Sequence, residues 1–199
     1  MWALIEDGSI TKLINNPKAM VIGDIQYSRN IFSFRWSNEE REAIGLYEVV
    51  FNNSNKKDEK YYTNTNQSFA FAGGVVTASY GSATAKALAD ANATDAEGVD
   101  LDPVVVIPGL KTEHKKSINS HASSLLTPTD WYVVKATEVE GYSVPSAVTT
   151  YRAAVRTKSN EMETAINNAA NVDALAALYV YNDENPPTRP LGEWPELEV

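Results

Sequence analysis

The chain of 199 residues contains no cysteine, so disulfides, thiolate nucleophiles and cysteine-based zinc sites are excluded outright. Histidine is nearly missing as well. His114 and His121 are the only two, and on one helix their spacing sets them about 10 Å apart, too far to share a metal. Each reads as a partly buried or solvent-facing side chain, and no metal is expected. Basic residues are scarce, 17 against 26 acids for a net charge of −9. Binding a phosphate backbone requires concentrated Lys and Arg, so no nucleic-acid partner is expected. Long apolar runs are lacking too: Val104 to Leu110 falls far short of the roughly 20 residues that a membrane span requires. The opening segment carries Glu6 and Asp7 with no basic stretch before them, unlike a secretory leader. Neither a membrane-inserted segment nor a leader is expected. Nucleotide signatures are also missing, because Gly73-Gly74 lacks the Lys-Ser/Thr of a phosphate loop and no G-x-G-x-x-G occurs. No cofactor is expected. The acids are spread over loops and helix starts, where solvation and capping account for them, and no G-x-S-x-G elbow accompanies the many serines.

The composition that is present, 43% hydrophobic and 22% charged, is that of a folded globular chain. Trp2-Ala3-Leu4-Ile5 and Ile10-Thr11-Lys12-Leu13-Ile14 flank an Asp7-Gly8 turn, a strong hairpin signal. The stretch Asn30 to Trp36 reads as extended, with Ile31, Phe32, Phe34 and Trp36 as core candidates. Ser37 with Glu40 forms a capping box for a short helix ending near Gly45, followed by a strand over Leu46 to Phe51. Asn52 to Lys60 is a polar loop. A second hairpin is expected from Gln67 to Tyr80 around Gly73-Gly74.

The pattern changes after Gly81. Ala83 to Ala91 is alanine-rich and suits a short helix, Thr94 to Gly98 is an acidic turn region, and Val104-Val105-Val106-Ile107 is either an isolated strand or an apolar strap. Helical periodicity then dominates. Leu110, His114, Ile118, Ala122 and Leu125 form one stripe, ended by Thr127-Pro128. Pro145 opens a helix carrying Val148, Tyr151 and Val155. Asn160 with Glu163 suggests the start of another, with Met162, Ile166 and Ala169 facing inward, and Asn171 caps a last one carrying Val172, Leu175, Leu178 and Tyr179. Lys111, Lys115 and Lys116 are the one basic cluster and read as a solvated face.

The expected fold is therefore α+β. Residues 1–81 form a small β-rich unit of hairpins, 82–109 a linker with a short helix and an apolar strap, 110–182 a bundle of short helices, and 183–199 a Pro-rich extended tail anchored by Trp194-Pro195.

The segment Leu125-Leu126-Thr127-Pro128-Thr129-Asp130-Trp131, with Val144-Pro145 and then Tyr151-Arg152-Ala153-Ala154-Val155-Arg156, resembles the C-terminal signature of bacteriophage tail fibre assembly and tail-assembly chaperone proteins. Val148 stands where that family usually has tryptophan, and Thr157 where it has aspartate. The resemblance implies a phage protein, located in the virion or in the host cytoplasm during assembly. Its partners would be other phage structural or tail proteins, a homo-oligomer staying open, and it would have no catalytic residues. The candidate binding residues are Asp130, Trp131, Tyr151, Arg152 and Arg156. On physical grounds Asp130 caps local backbone or receives Arg152 or Arg156 through a bidentate fork, and Trp131 either packs on the Tyr151 helix or stands as an exposed anchor. The alternative is a carbohydrate-binding or glycan-degrading host-surface module, suggested by the β-rich aromatic content of the first eighty residues.

The lack of any ligand set with workable spacing predicts that the purified protein carries no stoichiometric transition metal. Elemental analysis checks this, and one equivalent of zinc or iron per chain would refute it.

Overall fold

The computed structural model describes residues 1–197 and divides into two compact units, Met1–Thr84 and the chain from Ala85 onward. The architecture is α+β: the large sheet lies in the first unit and four α-helices lie in the second. No helix among the described residues is long and apolar enough to cross a membrane.

In the first unit, strands β1 (Trp2–Glu6) and β2 (Ser9–Ile14) pair antiparallel around Asp7 and Gly8, both at positive φ. The short ribbon β3 (Met20–Ile22) and β4 (Ile25–Tyr27) follows. Helix α1 (Asn38–Glu42) starts with the expected box, Ser37 Oγ accepting from the Glu40 amide while Glu40 accepts from the Ser37 amide. Strand β5 (Leu46–Asn52) returns beside β1, and the turn into it needs a glycine: Gly45 has φ +77°, and a Cβ there would run into the Ile5 carbonyl oxygen. After β6 (Tyr62–Thr63), the hairpin β7 (Gln67–Ala72) and β8 (Val75–Tyr80) completes a sheet of order β2-β1-β5-β8-β7, with β5 and β8 parallel. The edge strands β2 and β7 touch, so the sheet curls toward closure.

Alternation sets the core of this sheet. Ala3, Ile5, Val49, Val76 and Ala78 point inward on one side, while Ile14, Ile31 and Leu46 gather Trp2, Phe32 and Trp36 on another. The stretch expected to be extended is instead a 3-10 turn, Arg29–Phe32, which buries Ile31. Phe34 is 94% exposed and is not core, because the turn ends before it and points it outward. Arg41 braces this corner from within. Its Nε donates to Ile31 O at 2.9 Å, Nη2 to Ser33 O at 2.7 Å and Nη1 to Asn38 Oδ1 at 2.8 Å, with the guanidinium 4.8 Å from the Trp2 ring centre.

The two-residue strand β9 (Thr84–Ala85) lies at the unit boundary. The alanine-rich segment 83–91 is not helical. Its carbonyls are taken elsewhere: Ala87 O accepts from Leu110 N and Leu88 O from Lys111 N, at 2.9 and 3.1 Å. Those two amides open helix α2 (Leu110–Leu126), whose N-cap Gly109 has no side chain to cap with. Asp90 supplies that function from a distance. Its Oδ1 accepts from Gly109 N at 2.7 Å and its Oδ2 from Thr112 Oγ1 at 3.0 Å. A Cβ at residue 109 would collide with the Ala89 carbonyl, so the strap is laid directly on the helix start. Between them, β10 (Ala91–Asn92) and β11 (Val106–Ile107) pair antiparallel.

Helix α3 (Asp130–Glu138) was not foreshadowed by any apolar stripe. Helix α4 (Ser146–Asn168) runs 23 residues without a break at Asn160, correcting the expected separate helix. No glycine or proline interrupts it, and its buried positions Val148, Tyr151, Val155, Ser159, Met162 and Ile166 keep one continuous stripe. Helix α5 (Val172–Ala177) is capped as expected, Asn171 accepting from Ala174 N at 2.8 Å. The tail holds by more than Trp194: Leu191 is buried and its amide donates to Leu178 O at 3.0 Å. Residues 198 and 199 of the expected tail lie outside the described residues.

Hydrogen bonds from Gly109 and Thr112, with Lys115 nearby, hold the Asp90 carboxyl below the usual carboxylate range. A lowered folded-state pKa stabilises above the unfolded value of about 3.9, and that contribution is lost as pH falls through the folded pKa. Asp90→Asn is expected to melt earlier than the parent at neutral pH, with the gap closing below about pH 4. Thermal melts across pH check this, and a gap independent of pH would exclude the charge.

Candidate functional site

Helix α2 ends at Leu126, leaving its last carbonyls without partners further along the helix. Thr127–Thr129 tightens into a 3-10 turn around Pro128, and α3 leaves from Asp130. The orphaned carbonyls are met from α4. Tyr151 Oη donates to Leu125 O at 3.3 Å and Arg152 Nη1 to Leu126 O at 3.0 Å. The same Nη1 donates to Thr129 Oγ1 at 2.6 Å, and that hydroxyl in turn donates to Leu126 O at 2.7 Å. Arg152 Nη2 pairs with Asp130 Oδ1 at 2.8 Å. The two segments that carry the candidate residues thus meet in space, and their shared work is to close the C-terminus of α2.

Of the candidate residues, Asp130, Tyr151 and Arg152 come together. The bidentate pairing expected of Asp130 is not formed. The guanidinium divides instead between a carboxylate, a hydroxyl and a carbonyl. Arg156 stands one turn further on, exposed, with Nη1 3.4 Å from Arg152 O. Trp131 does not pack on the Tyr151 helix. It is 51% exposed, because successive helical residues are turned by about 100° and Asp130 occupies the direction facing Arg152. Its ring lies 3.8 Å from that of Tyr132, centre to centre, and Lys135 Nζ sits 5.8 Å from its centre. Thr129, buried at the centre of the corner, is the site residue that sequence reasoning missed; no local pattern marks it.

Beside the corner a groove of about 440 Å³ runs between α2 and α4, lined by Asn119, Ser123, Thr127, Arg156 and Asn160. It offers mixed donors and acceptors, and neither histidine lines it. His114 is buried, its Nδ1 2.6 Å from Tyr179 Oη, and the His121 ring lies tilted against that of Trp194, 5.1 Å between centres. Lys111 of the basic cluster donates to Asn167 O at 2.8 Å. Among the described residues no group of three or more His, Asp or Glu is placed to hold a metal ion. No protein-family model, curated protein or solved structure matches the chain.

Removing Arg152 takes donors from Leu126 O and Thr129 Oγ1 together, whereas removing Asp130, whose side chain is 55% exposed, breaks an ion pair that faces solvent. Arg152→Ala is expected to cost about 1–3 kcal/mol through the hydrogen bonds lost at buried Thr129 and at Leu126 O, which keeps the Thr129 hydroxyl, and Asp130→Ala at most about 1 kcal/mol. Chemical denaturation of both variants checks this; equal losses would put the weight on the ion pair instead.

Proposed function

We propose that this chain is a non-enzymatic bacteriophage protein of the virion or tail that binds other phage structural proteins. Its role would be that of a tail or fibre component or of a tail fibre assembly factor. The observation that carries the reading is α3, which buries none of its nine residues. Helices shorter than about 12–15 residues are marginal in water unless an apolar face packs on something. Here Trp131, Val133, Val134 and Val139 are all more than 40% exposed. A tryptophan on a short, firmly rooted helix is the kind of side chain that dominates binding at protein interfaces. The helix leaves the body of the unit at Asp130, which pairs with Arg152 and follows the 3-10 turn Thr127–Thr129. The motif residues meeting at this corner support the phage reading from a second side.

Mass spectrometry of purified phage particles separates component from assembly factor: a stoichiometric band marks the first, presence only in assembly intermediates the second. Trp131→Ala is expected to leave the melting temperature nearly unchanged and to weaken association with the tail protein that co-purifies by about 2 kcal/mol or more. Unaltered association, or a chain found neither in particles nor in assembly intermediates, overturns the reading.

A further inference from the structure

The segment 91–107 of the second unit is an ordered ribbon with an unusual surface. Ala93 N donates to Val105 O at 2.7 Å and Asp95 N to Val99 O at 2.8 Å, while Asp95 Oδ1 accepts from the Glu97 and Val99 amides at its tip. Asn92 Nδ2 donates to Asp100 Oδ2 at 2.6 Å across the ribbon. Yet Val99, Leu101, Val104, Val105, Val106 and Ile107 are between 37% and 61% exposed. Within β11 Val106 and Ile107 face opposite sides of the ribbon, and Val104 and Val105, which lead into it, are exposed as well. An unbroken aliphatic run is the pattern of a strand covered on both faces. Among the described residues β11 pairs with β10 along one edge and no strand pairs with its other edge.

Charge narrows what can cover it. From residue 87 to 110 the chain has Asp90, Asp95, Glu97, Asp100 and Asp102 and no lysine or arginine. Two such ribbons side by side would oppose like charges, and an anionic lipid surface or a nucleic acid would meet the same repulsion. A strand with alternating apolar and basic residues has neither problem. We propose that the 91–107 ribbon is a docking edge: a basic, amphipathic strand of a partner protein pairs with the open edge of β11 and extends the sheet. The added backbone satisfies the outward amide and carbonyl groups, its apolar side chains cover those of Val104 to Ile107, and its cations answer the acids. Because the ribbon is already hydrogen-bonded, little ordering opposes the union. This surface is separate from α3 and takes a different partner element.

The test uses the full chain and a labelled, blocked decapeptide alternating lysine and isoleucine, with anisotropy for affinity and hydrogen exchange for location. The expected results are saturable binding that weakens with salt, and new protection within 91–107. In Val104→Ser/Val106→Ser the affinity falls by at least about tenfold, a difference of about 1.4 kcal/mol, with an unchanged melting temperature. Val104→Thr/Val106→Thr keeps the β-branched shape and serves if serine loosens the strand. Retention of association through Trp131 in these variants keeps failure here distinct from failure of the α3 reading. The proposal falls if the variants bind as the parent does, if protection lies elsewhere, or if a glutamate–isoleucine decapeptide binds equally well. It falls also if the parent self-associates in ultracentrifugation, or floats with anionic vesicles, and the variants do not; the ribbon then serves a second copy or a lipid surface.

Discussion

A helix leaves four amides at its start and four carbonyls at its end without internal partners, and in the second unit those of α2 are met by groups distant in sequence. At the start, the Ala87 and Leu88 carbonyls and the Asp90 carboxylate take the amide and hydroxyl donors of residues 109–112. At the end, Tyr151, Arg152 and Thr129 serve the carbonyls of Leu125 and Leu126. The first arrangement keeps an alanine-rich segment from coiling, since a carbonyl committed to α2 is not available to its own fourth neighbour. The second aligns α4 against α2 and sets where α3 departs. The strap, the corner and the unpacked helix are therefore consequences of the two ends of one element.

Distance along the chain decides how much of this the sequence discloses. Caps made by neighbours were legible: Ser37 with Glu40 for α1 and Asn171 for α5 lie within three residues of the groups they satisfy. The two hairpins of the first unit were legible for the same reason, because Asp7-Gly8 and Gly73-Gly74 set their turns locally. Asp90 lies nineteen residues before Gly109, and Arg152 lies twenty-six after Leu126. Nothing in the local pattern of either announces its partner. Of the five candidate residues, Asp130, Tyr151 and Arg152 meet at the corner while Trp131 and Arg156 do not join it, and the division of labour was not readable. Arg152 was one of two arginines suited to Asp130, and Thr129 looked like any turn residue.

The misread helices share one cause. Asn160 and Glu163 have the residue types of a capping box, but a box forms only where the backbone has already left helical geometry, and the stripe through Val155, Ser159 and Met162 gives it no reason to leave. Conversely, α3 has valines at two adjacent positions and no stripe, so periodicity is silent. Its start follows a local 3-10 turn and is marked by the Asp130–Arg152 pair, a tertiary contact. Propensity over short windows yields to such contacts.

The excess of acid has a structural distribution. Five of the 26 acids lie between residues 87 and 110, a stretch that also holds six aliphatic side chains left open to solvent. A run such as Val104 to Ile107 with an open edge is an aggregation hazard in a chain of ordinary charge, and flanking charges and prolines are the usual protection. Here Pro103 and Pro108 bound the run while the acids repel further copies of it. Such protection is needed only if the apolar side chains are retained on the surface, since replacing them by polar residues would remove the hazard directly. Local pattern and tertiary environment disagree at this ribbon and at α3, and agree across the sheet of the first unit and along α4. Disagreement of that kind concentrates where a surface is shaped for something outside the chain.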